Sequence, residues 1–94
     1  MLPDNELLKF SQSSHPKVVA FLQDLVRIRS VNGRDSEKAV AERITQEAKL
    51  LKLEATLPAS DPDRPNVLVN LGSGSAGFLL VGHVDTVPEG DPAL

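Results

Sequence analysis

Apolar positions Val18, Phe21, Leu22, Leu25, Val26 and Ile28 recur at the three- and four-residue spacing that puts side chains on one face of an α-helix. Pro16 falls where a first helical turn needs no N–H, and Ser14 stands in position to cap it. The pattern therefore predicts an amphipathic helix from about Pro16 to Arg29. Residues 1–15 carry only scattered Leu7, Leu8 and Phe10 and read as an N-terminal arm or a short helix. Asn32-Gly33 breaks the first helix, because Asn-Gly favours a turn with positive φ. Asp35 or Ser36 restarts a second one over about Ser36 to Lys52, with Val40, Ile44, Ala48 and Leu51 on one face and charged residues on the others.

The period then changes. Leu53 to Leu57 reads as a short strand, and the proline-rich segment from Pro58 to Pro65 as a surface loop. Asn66 to Leu71 alternates at its edges and is rich in β-branched residues, which predicts a second strand. Phe78-Leu79-Leu80-Val81, after a Gly/Ser linker, is a continuous apolar run that suits a strand buried on both faces in an α/β sheet covered by helices. The expected architecture is α/β: two N-terminal helices packed on the first strands of a mixed sheet, with residues 1–15 as an arm and 16–94 as one domain.

Composition narrows the function classes. At 94 residues, folding buries only about 60–65% of the surface of the unfolded chain. Cysteine, tryptophan and tyrosine are absent. That removes disulfide frameworks, Cys-based zinc fingers, iron–sulfur clusters and thiol nucleophiles, and leaves few large anchors for a core. A net charge of −3 without runs of like charge argues against nucleic acid or an anionic membrane as the main partner. No apolar stretch is long enough to span a bilayer, and the N-terminus lacks the pattern of a secretory signal, so the expected location is cytoplasmic.

Three chemical patterns compete. Gly72-Ser73-Gly74-Ser75-Ala76-Gly77 has the spacing of a dinucleotide-binding loop, but the residues after it read as strand where that loop requires a helix, and no acidic residue follows at the ribose distance. A hairpin linker is the better reading. No serine sits in a G-x-S-x-G context, and His15 is a single polar residue at a helix start. The informative stretch is Leu79 to Pro88, where His83 and Asp85 stand two apart at the carboxyl end of an apolar run and so project to the same face of extended chain. Ligand sites of open α/β sheets lie at that end, and a metal-binding imidazole needs a carboxylate or carbonyl to hold its second nitrogen. On residue types alone, a metal ligand and a histidine merely satisfied by a neighbouring carboxylate both stand.

The segment Leu80-Val81-Gly82-His83-Val84-Asp85-Thr86-Val87-Pro88 resembles the first signature of the zinc-dependent amidohydrolases and exopeptidases that include acetylornithine deacetylase, succinyl-diaminopimelate desuccinylase, aminoacylase and glutamate carboxypeptidases. The order upstream is similar too, with a helix ending in Ile28-Arg29-Ser30-Val31, a second helix after Gly33, and Arg64-Pro65-Asn66-Val67 opening a strand. The resemblance runs from about Val18 to Asp91. It implies an incomplete zinc-exopeptidase-like catalytic domain in which His83 is a metal ligand and Asp85, counted among the active-site residues, orients its imidazole.

The implied cofactor is zinc, two ions in a complete relative, with cobalt or manganese as alternatives. The implied substrate is a small N-acyl amino acid or peptide, and a homodimer is a further expectation. The family's bridging Asp, its Glu base and its other ligands come from positions beyond the first signature. This chain is accordingly expected to be the N-terminal part of such a domain, a truncated product or a fragment, and inactive alone. The alternative is a non-catalytic interaction module, or a degenerate fragment that keeps the fold.

Overall fold

Helix α1 (Asp4–Arg27) is continuous through Pro16 in a computed structural model that describes residues 3–75 and 77–91. Met1 and Leu2 of the expected arm, Ala76 of the glycine-rich loop and Pro92 to Leu94 of the expected domain lie outside the described residues. The helix expected from Pro16 thus starts already at Asp4, and the stretch read as an arm or short helix forms its first half. Pro3 occupies the N-cap, with Asp4 and Glu6 in the first turn where the positive end of the helix dipole favours them. Ser14 is therefore an interior residue and caps nothing. The proline is tolerated because the carbonyl its missing N–H leaves unpaired belongs to Gln12, which is exposed and can turn to water.

The core lies around α2 (Lys38–Leu50), whose Val40, Ala41 and Ala48 are buried together with Val31 from the preceding loop. The helix starts two residues after the expected Ser36, with Glu37 at the N-cap and no side-chain cap bond, while Ser36 Oγ accepts from the Lys38 amide at 3.2 Å just ahead of it. Its other end is a Schellman turn. Leu53 N donates to the Ala48 carbonyl at 2.8 Å and Lys52 N to the Lys49 carbonyl at 3.0 Å, with Lys52 in the left-handed region at φ 60°. Helix α1 touches α2 through Arg43, whose guanidinium reaches Asp24 at 3.0 Å and Glu47 at 3.0 Å and lies 5.0 Å above the Phe21 ring. No residue of α1 is buried.

Beyond the Schellman turn, β1 (Glu54–Thr56) packs on α2 and pairs antiparallel with β2 (Leu68–Asn70), in the register Glu54 to Asn70, Ala55 to Val69 and Thr56 to Leu68. Both strands fall inside the segments the sequence predicts. The third does not form: residues 78–81 carry no strand assignment, and Phe78 and Leu80 are 103% and 94% exposed. Strand structure exists only through ladder bonds to a neighbour, and among the described residues no ladder pairing reaches this segment. The sheet is thus a two-stranded antiparallel pair, supplemented by one isolated parallel bridge between Val31 and Thr86. A radius of gyration of 16.1 Å, against about 12 Å for a compact chain of this length, agrees with so small a core.

Candidate functional site

The bridge between Val31 and Thr86 brings the Leu79–Pro88 stretch onto the body of the molecule. The loop after α1 is first fixed on itself: Asp35 Oδ2 accepts from the Val31 amide at 3.0 Å, and the Val31 carbonyl accepts from the amides of Arg34 and Asp35. The extended segment then docks along it. Thr86 N donates to the Ser30 carbonyl at 3.0 Å, Asn32 N donates to the Thr86 carbonyl at 3.0 Å, and Ser30 Oγ donates to the Val84 carbonyl at 2.8 Å. Farther along, Arg29 Nη1 meets Glu89 Oε1 at 3.2 Å while its Nε lies 3.5 Å from Asp35 Oδ2. Hydrogen bonding from its own backbone amide, and then from Arg29, holds the Glu89 carboxyl below the usual carboxylate range. The Glu89 carboxylate in turn raises the Arg29 guanidinium above its already high value.

A second arginine braces the other side of the loop. Arg64 Nε lies 2.9 Å from Glu37 Oε2, and its Nη2 donates to Asn32 Oδ1 at 3.2 Å. Behind it, Glu37 N donates to the Asp63 carbonyl at 2.8 Å and Pro65 is buried. These contacts tie the proline-rich segment to the start of α2 and leave the loop at 30–35 little freedom.

On this support His83 and Asp85 meet. Nδ1 of His83 is 2.9 Å from Asp85 Oδ1 and 3.0 Å from the Asp85 carbonyl oxygen. An ionised carboxylate and a carbonyl accept only, so the nitrogen between them is the protonated one. The lone pair of the neutral ring then sits on Nε2, the tautomer a metal-binding imidazole needs. The His83 side chain is 83% exposed and that of Asp85 is 31% exposed, so Nε2 faces solvent. The donor set fits one imidazole position of a metal centre and no more. Among the described residues no three His, Cys, Asp or Glu side chains come together in a way that could hold an ion.

The other sequence candidates lie apart from this pair. His15 is exposed in the interior of α1. No helix opens after Gly77, as the linker reading requires, and Gly72 and Gly74 take the positive φ values of 82° and 125° that suit a glycine-rich turn. At Gly82 a Cβ would meet nothing within 4 Å. Sequence reasoning missed Ser30, Arg29 and Glu89 as parts of the support. Ser30-Val31-Asn32-Gly33 read as a helix breaker, and pairing with residues more than fifty positions away leaves no local signal. Among the described residues no helix is long and apolar enough to cross a membrane.

Comparison with known proteins gives one consistent result. The chain is 32% identical over 78 residues to the acetylornithine deacetylase of Aliivibrio salmonicida (strain LFI1238), a stretch covering 78% of this chain and 21% of that protein. The values are the same for the acetylornithine deacetylase of Aliivibrio fischeri (strain MJ11), and identity is 28% over 78 residues for that of Vibrio vulnificus (strain CMCP6). No family model matches the chain. No solved structure matches it. The chain therefore shares a partial match with the acetylornithine deacetylases and spans about a fifth of the length of the curated relatives it matches.

Proposed function

We propose that this chain is the N-terminal segment of a metal-dependent amide hydrolase of the acetylornithine deacetylase family, and that it contributes one imidazole ligand to a metal centre completed by residues outside it. The observation that carries this reading is the His83–Asp85 geometry, two acceptor oxygens at Nδ1 of an exposed ring, which suits a neutral imidazole with its lone pair on Nε2. The matches to acetylornithine deacetylases support it, as does the signature-like segment from Leu80 to Pro88.

A zinc pair, when bound, supplies an acidified water and a Lewis acid toward an amide carbonyl. The residues of this chain do something narrower. His83 offers Nε2 as a ligand, and Asp85 fixes the ring orientation. Among the described residues no group of three metal-ligating side chains accompanies them, so the rest of the metal centre and the base that serves it would come from residues outside this chain. Its substrate, when completed, is an N-acylated amino acid or a small peptide.

Co-production with the remaining part of the Aliivibrio salmonicida acetylornithine deacetylase tests this reading. Zinc-dependent release of acetate from an N-acetyl amino acid is expected only when both pieces are present, and His83→Ala is expected to abolish it. Equal turnover with His83→Ala would refute the assignment. Failure of the two pieces to associate at all would refute the proposal that this chain is the N-terminal segment of such a catalytic unit.

A further inference from the structure

Two buried polar residues stand out among those described. Thr45 returns its hydroxyl to the Ala41 carbonyl within α2, a local bond that only relieves its own burial. Ser30 is different. It is 2% exposed, and its hydroxyl crosses to the Val84 carbonyl, 54 positions away, at 2.8 Å.

We infer that Ser30 is a positioning residue for the His83–Asp85 pair, its buried hydroxyl fixing the peptide that joins Val84 to Asp85. This rests on the reading of His83 as a metal ligand. Val84 lies between the two residues, and its carbonyl belongs to the same rigid plane as the Asp85 amide. Rotation of that plane would move both Asp85 oxygens relative to His83, which uses the carboxylate at 2.9 Å and the carbonyl at 3.0 Å. The Ser30 hydroxyl opposes the rotation. The Ser30 carbonyl accepts from the next amide, that of Thr86, so side chain and backbone of one buried residue grip the two consecutive peptide units that flank Asp85.

Immediately upstream of the pair the described residues are open to solvent. Leu79, Leu80 and Val81 are 78%, 94% and 84% exposed, and the His83 ring is itself largely in solvent. The orientation of the pair therefore rests on the attachment downstream, where Ser30 holds the peptides at Val84 and Thr86 and Asn32 holds the Thr86 carbonyl. An alanine here leaves the Val84 carbonyl without its donor and frees the peptide plane.

The test reads the tautomer of the neutral His83 ring by long-range proton–nitrogen correlation NMR on the 94-residue chain. The wild type is expected to carry its proton on Nδ1. Ser30→Ala is expected to lower the ratio of Nδ1–H to Nε2–H roughly fivefold, the factor equivalent to one net hydrogen bond. Ser30→Thr, which keeps the hydroxyl, is expected to restore it. Far-UV circular dichroism of all variants is expected to match. An unchanged ratio in Ser30→Ala, or a Ser30→Thr ratio displaced as far as that of alanine, overturns the inference. Should Ser30→Ala not fold, Ser30→Cys decides: the weak thiol donor is expected to shift the ratio in the same direction by less, and no shift overturns the role. A zinc-induced displacement of the His83 Nε2 resonance in the wild type tests the ligand reading separately, so the two can fail independently.

Discussion

The imidazole Nδ1 of His83 is shared between two oxygens of a single residue, Asp85 Oδ1 at 2.9 Å and the Asp85 carbonyl at 3.0 Å. Such a pairing sets the tautomer, because both partners are acceptors. Removing the carboxylate leaves the carbonyl as a weaker claim on the proton. Asp85→Ala is expected to shift the neutral ring toward the Nε2–H form, visible by nitrogen NMR, and to weaken any metal response at Nε2 by about 10–100-fold, the usual cost of losing such a partner. A ring that keeps its proton on Nδ1 in this variant would show that the carboxylate is not what orients it.

Arg29 and Glu89 close the far end of the same docking strip, 3.2 Å apart. The Glu89 carboxyl is held below its ordinary value by its own backbone amide and by Arg29, so the folded state favours its ionised form. The stabilisation is thus complete above the unfolded-state value and fades as the pH falls through the lowered folded-state value. Carbonyl carbon NMR of Glu89 is expected to show an acid-shifted midpoint that moves up, toward the ordinary range, in Arg29→Gln. An identical midpoint in both proteins would remove Arg29 from the account.

Lys52 occupies the left-handed position of the Schellman turn at φ 60°, where a side chain is strained and glycine is not. Lys52→Gly is expected to raise stability by about 0.5–1 kcal/mol in urea unfolding. A loss of stability would mean that the lysine side chain contributes more than its backbone costs.

Phe78, Leu79, Leu80 and Val81 form a continuous exposed apolar segment. Segments of this kind pair with other chains. Leu80→Lys is expected to change stability by no more than about 0.5 kcal/mol, since the side chain is 94% exposed, and to reduce self-association in sedimentation experiments. Stability falling well beyond that range would indicate that Leu80 is packed in solution.

The legible parts of this molecule were the local ones. Helix α2 follows from apolar spacing, although it starts at Lys38 behind an N-cap at Glu37 rather than at Ser36, and β1 and β2 fall inside the segments that alternation predicts. The contact between His83 and Asp85 follows from a spacing of two in extended chain. Pro16 misled because a proline in a first turn and a proline within a helix look alike in sequence; only the solvent around Gln12 separates them. Residues 78–81 misled for a different reason. Their composition is that of a buried strand, but burial needs neighbours that no local pattern supplies. The anchoring at Ser30 was hidden for the same cause, since its partner Val84 is 54 positions away.

The most direct test of the central claim is a zinc titration of the 94-residue chain followed by the nitrogen resonances of both histidines. His15, exposed in α1 without an Asp two residues on, is the internal control. The account predicts that His83 Nε2 responds at lower zinc than either nitrogen of His15, that the response vanishes in His83→Ala, and that it weakens in Asp85→Ala. A His83 that responds no earlier than His15 would contradict the assignment of His83 as a metal ligand.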